Sequence, residues 1–549
     1  MTVTFDDLTP EQRAVADLDA RTILVLGGAG VGKTTTALWT ARRQLTKHGA
    51  LQRAAPGDRV LFVTFSRTAV AQIRSRAGGV LSGIADSVEI LTFHGLAYRL
   101  VCSFGRYLGH ASDPVIIGDA RTKVGATGAL DEGALTYDDL LPLALRLLDT
   151  PGPIGDLVRS RWSLVICDEF QDTDHAEWRL LELLGLHARL VLLADPNQMI
   201  YTGFKKGVSE ARLDAARARE DCVEIVLPPG SHRDPTQVIP VAASEIRWRR
   251  FGSEPVLRAV ELGRLVVQTY VPDNDDERAA VIAGHLEQQR TDGQVSVGIY
   301  AKTNQDAAEL SSALTKNHVD HVPIGFGEAY GEALLAMVTM LEFAVGLREW
   351  GGVAEAFAVV LTATVRSTNP PSLAVSLTTG VNLPRILGER LVALQGELRE
   401  AHGDAGRLAT LVAEAWDRLG FTSGRRAWQR AGRNLTALIA RQRGRGAKEV
   451  VTRLALSIAG LRNESFVELD SGDSGAIQLM NFHQTKGREA DVVILSHSSD
   501  DWYGRDAAEP FDEPSRVLYV SLTRARHRVI VLLPPSPHPL VAPFSDLAR

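Results

Sequence analysis

Residues Thr22–Thr34 read Thr-Ile-Leu-Val-Leu-Gly-Gly-Ala-Gly-Val-Gly-Lys-Thr. An apolar run is followed by a glycine-rich segment and then by a helix-forming stretch. A strand, a glycine loop and a helix in this order are typical of a phosphate-binding loop. Backbone N–H groups crowd around a polyphosphate there, and the helix points its positive dipole end at the same place. The segment therefore predicts an α/β protein that binds a nucleoside triphosphate.

The loop also predicts individual ligands. Lys33 would reach the β- and γ-phosphates, and the Thr34 hydroxyl would ligate Mg²⁺. A glycine-rich turn without a ligand is the alternative. The residues predicted to hold the nucleotide are Gly27, Gly28, Ala29, Gly30, Val31, Gly32, Lys33, Thr34 and Thr35.

The composition of the 549 residues is that of an ordinary globular protein, with 45% hydrophobic and 23% charged residues. Three or four domains are expected at this length. The net charge of −6 argues against a globally basic nucleic-acid binder but leaves a local basic groove open. The three cysteines are isolated along the chain, which disfavours a disulfide framework or a cysteine metal cluster. No apolar stretch approaches the roughly 20 residues that cross a bilayer, so we expect a cytoplasmic protein with no membrane partner.

Short apolar runs alternate with helical stretches, a pattern typical of parallel sheets buried on both faces. They form two sets, so we predict two α/β cores, each with a mainly helical insertion. The predicted strands are Thr22–Leu26, Val60–Phe65, Val88–Leu91, Leu164–Cys167, Leu190–Ala194 and Val223–Leu227, then Leu265–Tyr270, Val295–Tyr300, Ile477–Met480, Val492–Ser496 and Val529–Leu533. The predicted domains are a first core (1–96 and 161–230), its short insertion (97–160), a second core (231–330 and 463–535), its insertion (331–462) and an irregular tail (536–549).

Two carboxylates follow the apolar run Leu164–Cys167. Asp168 would hold Mg²⁺, and Glu169 would orient and deprotonate the attacking water. Acids at the start of a helix are the alternative interpretation of such a pair. Together with the phosphate loop, the pair predicts triphosphate hydrolysis.

A series of further motifs occurs in the order found in UvrD/Rep-type superfamily 1 DNA helicases, which the chain resembles over residues 5–535. The resemblance implies two RecA-like P-loop NTPase cores, ATP and Mg²⁺ as ligands, and DNA as the partner. Besides the phosphate loop, the motifs are Leu8–Arg13, Val63–Ala69, Thr92–Gly95, Asp168–Asp172, Ala194–Tyr201, Gln478–Gly487 and Leu518–Arg526.

The resemblance assigns roles to side chains around the nucleotide. Gln12 would read adenine, and Gln198 would sense the γ-phosphate and couple hydrolysis to DNA. Arg524 would act as an arginine finger, with Arg233 as a second γ-phosphate arginine, and Glu489 would contact the nucleotide from the second core. For the two arginines, an ion pair between the cores is the alternative.

Three departures from the family pattern bear on nucleotide preference and coupling. His232 stands where the family stacks a tyrosine on adenine. Arg488 and Ala490 replace a leucine and an aromatic residue. The segment after Tyr201 is one residue longer than usual. The phosphate chemistry is unaffected by these changes.

By the same resemblance, aromatic side chains should line a track for single-stranded DNA and for junctions with duplex DNA. Bases stack on such rings in non-specific single-strand binders. The predicted residues are Phe65, His94, Tyr201, Phe204 and His483. Ordinary core packing is the alternative for each.

Two basic clusters in the second insertion would meet duplex DNA or form a solvated face. In the first, three arginines share a helical face beside Trp428. The clusters are Arg426, Arg430 and Arg433, and Arg441–Arg445 with Lys448. The similar stretch Ile246–Phe251 is predicted to be surface.

The motifs and the resemblance together predict an ATP-dependent DNA helicase and translocase, and the resemblance implies that it moves 3′ to 5′ on single-stranded DNA. Repair, recombination and antiviral defence are the candidate roles, with a partner nuclease or repair protein. The alternative is a DNA-end-sensing regulatory ATPase that does not unwind and acts with a partner nuclease. An unrelated phosphate-loop enzyme, such as a small-molecule kinase, is a third interpretation.

Overall fold

We describe the fold from a computed structural model. It describes residues 4–46, 59–110, 114, 116–117, 135–150, 152–202, 205–290, 295–323, 327–364, 370–440, 447–454, 477–499, 501 and 509–548. The chain divides into two compact units, which are Met1–Leu96 with Ala144–Gly325 and Asp470–Arg549, and Ala97–Leu143 with Phe326–Leu469. The first unit holds both large sheets, so the second insertion and part of the first form a unit of their own. Across the described residues, no helix is both long and apolar enough to cross a lipid bilayer.

The strands, numbered in chain order, are β1 (Thr22–Leu26), β2 (Val60–Thr64), β3 (Val88–Thr92), β4 (Ile116–Ile117), β5 (Leu135–Thr136), β6 (Leu164–Cys167), β7 (Arg189–Ala194), β8 (Cys222–Val226), β9 (Leu265–Thr269), β10 (Val297–Ala301), β11 (Val322–Pro323), β12 (Ile477–Asn481), β13 (Ala490–Ser496) and β14 (Ala525–Leu533). They form two six-stranded parallel sheets, β3-β2-β6-β7-β1-β8 and β11-β12-β10-β13-β14-β9, and the short pair β4-β5. The predicted α/β fold with two parallel-sheet cores is confirmed.

The α-helices are α1 (Pro10–Asp17), α2 (Lys33–Thr46), α3 (Arg67–Val80), α4 (Phe93–Phe104), α5 (Tyr137–Asp149), α6 (Pro153–Arg159), α7 (His175–Leu184), α8 (Ala211–Arg217), α9 (Val238–Arg247), α10 (Glu254–Glu261), α11 (Asp275–Arg290), α12 (Asn304–Lys316), α13 (Gly327–Ala344), α14 (Trp350–Ala363), α15 (Ser372–Thr379), α16 (Arg385–Glu400), α17 (Ala405–Leu419), α18 (Arg425–Ala440) and α19 (Asp512–Leu522). Short 3₁₀ helices span Phe5–Asp7, Ala85–Ser87, Gly105–Leu108, Phe170–Asp172, Pro196–Gln198, Phe482–Thr485 and Ala542–Leu547. Residues 447–454 are also helical.

Every strand predicted from the sequence is present, with small differences at the ends. The two-residue strands β4, β5 and β11 were not predicted, because runs that short carry no pattern. Burial on both faces was wrong for β8, whose Val223 and Val226 are 41% and 61% exposed. The reason is that β8 lies at the edge of its sheet, where, among the described strands, it pairs only with β1.

The first sheet brings the functional motifs to one edge. Parallel strands end on the same side, and in open α/β sheets ligands bind at that side. The register pairs Leu26, the last residue of β1, with Ala194, the last residue of β7. β6 lies on the other side of β7 and ends at Cys167. The phosphate loop, Asp168 and the turn after Ala194 are therefore neighbours.

The second unit is built around aromatic side chains of α14, α17 and α18. Trp416 and Trp428 are fully buried and stack with their ring centroids 4.4 Å apart. Phe357 meets both rings edge-on at 5.7 Å. Because Trp428 is part of this core, it cannot serve the basic cluster as a stacking surface.

The basic face itself is described only in part. Arg430 and Arg433 on α18 are exposed. The side chain of Arg426 and the cluster Arg441–Arg445 lie outside the described residues, and their predicted role stays untested.

The stretch Ile246–Phe251 is not simply surface, so that prediction was wrong. The Arg247 side chain is buried and pairs with Asp512 at 2.6 Å. Phe251 packs against Phe544 with ring centroids 4.9 Å apart. Trp248, 55% exposed, fits the surface prediction. The segment closes α9 against the end of the chain, which its composition did not indicate.

Candidate functional site

The phosphate loop depends on two glycines with left-handed backbone angles, Gly30 at φ 79° and Gly32 at φ 94°. A Cβ atom at Gly30 would collide with the Ser231 hydroxyl, and one at Gly32 would lie 2.6 Å from Gln12 Nε2. Side-chain-bearing residues are disfavoured at such angles and have no room here. Gln12 and Ser231 therefore pack directly on the loop.

Lys33, the first residue of α2, folds back over the loop that precedes it. Its Nζ donates to the carbonyl oxygens of Gly27 and Gly28 at 2.6 and 2.9 Å, and lies 4.0 Å from Asp195 Oδ2. The ammonium group is thus held where a bound polyphosphate would lie against the loop. Phosphate oxygens would take the place of the two carbonyl oxygens.

Thr34 and Asp168 are brought together by α2 and the end of β6. The Thr34 hydroxyl donates to Asp168 Oδ2 at 3.4 Å. Burial, together with the charge of Glu169, raises the pKa of Asp168 to about 6. A nearby cation would oppose that shift by favouring the ionised carboxylate. A hydroxyl and a buried carboxylate are hard oxygen ligands, so these residues fit Mg²⁺.

Glu169 has left-handed backbone angles, with φ 58° and ψ 40°, which are uncommon for a residue with a side chain. Its Oε2 atom accepts from Gln171 Nε2 at 2.7 Å and lies 3.3 Å from Lys486 Nζ. Burial would raise the pKa of Glu169, but Lys486 and Lys33 outweigh it and lower the pKa to about 2. The carboxylate is therefore ionised at neutral pH and able to accept a hydrogen bond from water.

Lys486 reaches from the second sheet into this cluster, and the sequence analysis gave it no role. It lies between β12 and β13, is buried, and forms an ion pair with Asp172. It also donates to the carbonyl oxygen of Gln198 at 3.0 Å. Burial raises the pKa of Asp172 to about 7. The motif Lys486-Gly487 was the available signal, since it belongs to a recognised pattern.

Arg524 and Gln198 meet between the two sheets. Arg524 precedes β14, is buried, and donates from Nη2 to Gln198 Oε1 at 2.8 Å. Gln198 Nε2 donates in turn to Asp195 Oδ2 at 2.7 Å. Burial, followed by the charge of Arg233, lowers the pKa of Arg524 to about 10. The predicted finger and the predicted sensor are thus in direct contact.

Arg233 forms an ion pair with Glu489, so both predicted nucleotide ligands are engaged by protein groups. Arg233 Nη2 lies 2.8 Å from Glu489 Oε1, and Nη1 donates to the Thr523 carbonyl. Glu489 also pairs with Arg76 at 2.9 Å and with Arg526 at 3.2 Å. Arg76, on α3, was not predicted as a site residue.

Three other side chains border the loop. Gln12 accepts from the Thr9 N–H at 2.9 Å and donates to the Val31 carbonyl at 3.1 Å. The His232 side chain is exposed, and the backbone N–H of His232 donates to the Gly30 carbonyl at 2.8 Å. Tyr519, on α19, accepts from the Ala29 N–H at 3.3 Å and was missed.

Of the remaining predicted loop residues, Val31 is buried, whereas Thr35 lies in the first turn of α2 and is half-buried.

The predicted DNA-facing residues form a second cluster, at the same edge of the first sheet. The Phe65 and Tyr201 rings have centroids 4.7 Å apart, and the Tyr201 hydroxyl donates to the His483 carbonyl at 3.1 Å. Lys205 Nζ lies 4.6 Å from the centre of the Phe65 ring. All three rings are half-buried. Phe204 lies outside the described residues.

His94 is the second residue of α4, which follows β3 directly, and it is half-buried. Burial, and then the charge of Lys205, lowers the pKa of His94 to about 4. The imidazole is therefore neutral at pH 7. It can stack or form a hydrogen bond but does not act as a cation for phosphate.

Two family models match the chain, one described as an AAA domain over residues 11–204 and one as a UvrD-like helicase C-terminal domain over residues 440–534. The ATP-dependent DNA helicase UvrD1 of Mycobacterium tuberculosis H37Rv is 24% identical over 645 residues, covering 96% of this chain and 82% of that protein. UvrD1 of Mycobacterium leprae is 24% identical over 649 residues, covering 95% and 82%. The RecBCD enzyme subunit RecB of Mycobacterium tuberculosis H37Rv is 45% identical over 80 residues, 14% of this chain and 7% of that protein.

These matches agree with the ordered motifs and with the two parallel sheets. The AAA-domain match includes the phosphate loop, Asp168 and Gln198, and the UvrD-like match includes Lys486 and Arg524. The chain belongs to the UvrD-like family of superfamily 1 helicases, which are ATP-dependent DNA helicases.

Proposed function

We propose that this protein is an ATP-driven motor that moves 3′ to 5′ along single-stranded DNA and separates the duplex ahead of it. The observation that carries the proposal is the hydrogen bond from Arg524, of the second core, to Gln198, of the first. A finger from one core reaches the triphosphate of the other only while the cores are closed. Binding and release of ATP would then open and close the pair, which is a motor stroke.

Catalysis would proceed by charge neutralisation around the γ-phosphate. Lys33 would exchange the Gly27 and Gly28 carbonyls for phosphate oxygens, and Arg524 would neutralise the charge that develops in the transition state. Glu169 would accept a hydrogen bond from the attacking water. Its low pKa suits orientation of the water more than early removal of the proton.

Thr34 and Asp168 would hold Mg²⁺. When bound, the ion supplies positive charge to the phosphate oxygens. Removal of Mg²⁺ by a chelator should therefore stop hydrolysis.

The coupling of hydrolysis to DNA would pass through the segment Ala194–Tyr201. Gln198 bonds Arg524 at its nucleotide end, and Tyr201 contacts Phe65 and His483 three residues further on. Lys486 contacts both the nucleotide cluster and the aromatic cluster. Its Nζ lies 3.3 Å from Glu169 Oε2 and 5.6 Å from the centre of the Tyr201 ring. A base that stacks on Tyr201 would thereby act on the group that holds Glu169.

The test is steady-state ATP hydrolysis with and without single-stranded DNA, with Lys33→Ala as the blank. We expect strong stimulation that the blank lacks, followed by strand separation on a 3′-tailed duplex and none on a 5′-tailed one. Hydrolysis that is indifferent to DNA would overturn the motor. Unwinding of the 5′-tailed duplex alone would overturn the polarity.

The local match to RecB, a subunit of a larger enzyme, favours a second candidate in which the chain works with a partner. A DNA-end-sensing regulatory ATPase with a partner nuclease would hydrolyse ATP on DNA but separate no strands. The tailed-duplex assay distinguishes the two. A role in repair, recombination or antiviral defence is compatible with either.

A further inference from the structure

The carboxylate of Glu489 forms ion pairs with three arginines beside the nucleotide cleft. Glu489 Oε1 takes Arg233 at 2.8 Å and Arg76 at 2.9 Å, and Oε2 takes Arg526 at 3.2 Å. The Glu489 side chain is 12% exposed. The pKa of Glu489 is lowered because Arg233, followed by Arg76, outweighs burial. The carboxylate is therefore a fixed negative charge in this group.

The arginines come from different parts of the first unit. Arg76 lies on α3, beside the first sheet, whereas Arg526 lies in β14 of the second. Arg233 follows the loop-packing residue Ser231 and is close enough to Arg524 to lower its pKa. Arg233 and Arg524 are thus two like charges held near the phosphate loop, and Glu489 offsets one of them.

The family resemblance assigns Glu489 to the nucleotide itself, but its two oxygens are occupied by guanidinium groups. A triphosphate would bring several negative charges to the same place and compete for Arg233. After such an exchange, Glu489 would still hold Arg76 and Arg526. The exchange would therefore leave no buried carboxylate without a counter-ion, which is the costly outcome in such sites.

We propose that Glu489 takes the role of the γ-phosphate before a triphosphate binds. It forms an ion pair with Arg233 and releases that arginine to the terminal phosphate when a triphosphate binds. The inference rests on the proposed function, because it requires a triphosphate in this cleft. In this proposal Glu489 weakens binding of the phosphate chain and does not contact the ribose or the base. Arg76 and Arg526 are positioning residues that keep the carboxylate in place during the exchange.

The experiment compares two ligands, ATP and inorganic tripolyphosphate, which lacks ribose and base. Their dissociation constants are measured by titration calorimetry with Mg²⁺ for wild type and Glu489→Gln. We expect Glu489→Gln to bind both ligands more tightly, by about fivefold to thirtyfold, since a competing ion pair is removed. If Glu489 instead bound the ribose, Glu489→Gln would weaken the binding of ATP and leave the binding of tripolyphosphate unchanged.

A double-mutant cycle shows whether the effect passes through Arg233. In an Arg233→Ala background, Glu489→Gln should change tripolyphosphate binding by no more than about twofold. Asp491→Asn is the matched control, because it removes a charge two residues away that contacts Arg526 at 3.4 Å. It should leave both affinities near wild type. Thermal unfolding of each variant identifies any that fails to fold, and Glu489→Asp then replaces it, with weaker tightening expected.

The inference is overturned if Glu489→Gln weakens ATP alone, changes neither ligand, or tightens both regardless of Arg233. Equal tightening by Asp491→Asn would also overturn it, since a general charge effect would then suffice. A wild-type protein that binds neither ligand would instead refute the proposed function. The two failures are thus distinguishable.

Discussion

The two units bury their large side chains in opposite ways. In the second unit, Trp416 and Trp428 stack 4.4 Å apart, and their indole N–H groups donate to the carbonyls of Ser423 and Val412 at 2.8 and 3.1 Å. In the first unit, the space between the sheets contains the charged side chain of Lys486. It contacts Asp172 and Glu169.

The difference shows which unit is built for stability and which for chemistry. An aromatic core gains free energy with each ring that it removes from water. A buried ion pair loses the hydration of both charges and is often no better than an apolar replacement. Charges kept in so costly a place indicate a function, so substitutions in the two regions should separate activity from stability.

Arg524→Ala should give the largest loss of ATP hydrolysis and tests whether the charged groups of the first unit serve the reaction. Loss of an arginine finger typically costs about 10³–10⁵ in rate, because the transition-state charge is left unneutralised. We expect a loss in this range in DNA-stimulated kcat, with a far smaller change in KM. Steady-state ATPase assays measure both.

The control for Arg524→Ala is Arg528→Ala, in the same region of the chain. Arg528 donates to the Gly263 carbonyl at 3.1 Å. It should keep kcat near wild type. An equal loss in both variants would mean that Arg524 acts through folding, and the contrast between the units would fail.

Lys486→Met should destabilise the first unit and reduce its activity. Removing one partner of a buried pair costs about 3–5 kcal/mol, because Asp172 must then stay buried without its counter-ion or take up a proton. Equilibrium urea unfolding measures the loss. The double variant Lys486→Met/Asp172→Asn should regain much of the free energy of unfolding while ATP hydrolysis stays low. Recovery of activity together with stability would contradict a functional role for the pair.

Trp428→Phe tests whether the aromatic core of the second unit contributes to stability and not to ATP hydrolysis. A smaller ring in a close-packed core should cost about 1–3 kcal/mol through lost contacts and a cavity. Since Trp428 lies in the second unit, ATP hydrolysis without DNA should remain near wild type at 25 °C. A fall in that basal rate, in protein that circular dichroism shows to be folded, would break the proposed separation.

The smallest expected effect is the pH response of His94. Its pKa of about 4 in the folded protein lies below the value of about 6.5 for an unfolded chain. The unfolded state therefore takes the proton first, so the stability linked to neutral His94 is present above pH 6.5. It is lost as the pH falls from 6.5 towards 4.

His94→Gln should remove this acid sensitivity, which we expect to be on the order of 1 kcal/mol for a half-buried group. Urea unfolding at pH 7.5 and pH 5 measures the difference for each protein. Equal differences in wild type and variant would show that His94 is not the group responsible.

Much of the fold followed from local pattern. Apolar runs bounded by glycine and charged residues predicted the strands of both sheets, since a buried parallel strand needs apolar side chains on both faces. The same rule was wrong for β8, because nothing in the run Val223–Leu227 marks it as an edge. Ile246–Phe251 was misjudged for a related reason. Its arginines suggested solvent, yet Arg247 has a buried partner in Asp512.

In the candidate site, the sequence identified the groups that lie within motifs but not the contacts between them. Lys486 and Tyr519 stand inside recognised motifs, although their partners Asp172 and Ala29 do not adjoin them in the chain. Arg76 lies just outside a motif and is separated from Glu489 by 413 positions. Position in the sequence alone does not reveal such pairings.

The phosphate loop, the ligand class and the two-core α/β architecture could be predicted from the order of the amino acids. These depend on short-range properties, namely glycines at Gly30 and Gly32 that permit left-handed angles, and runs of apolar residues of strand length. The hydrogen bond from Arg524 to Gln198 and the ion pair between Glu489 and Arg233 could be identified only in the folded chain. Those contacts exist because parallel strands bring distant segments to a common edge, where burial makes each charge select a specific partner.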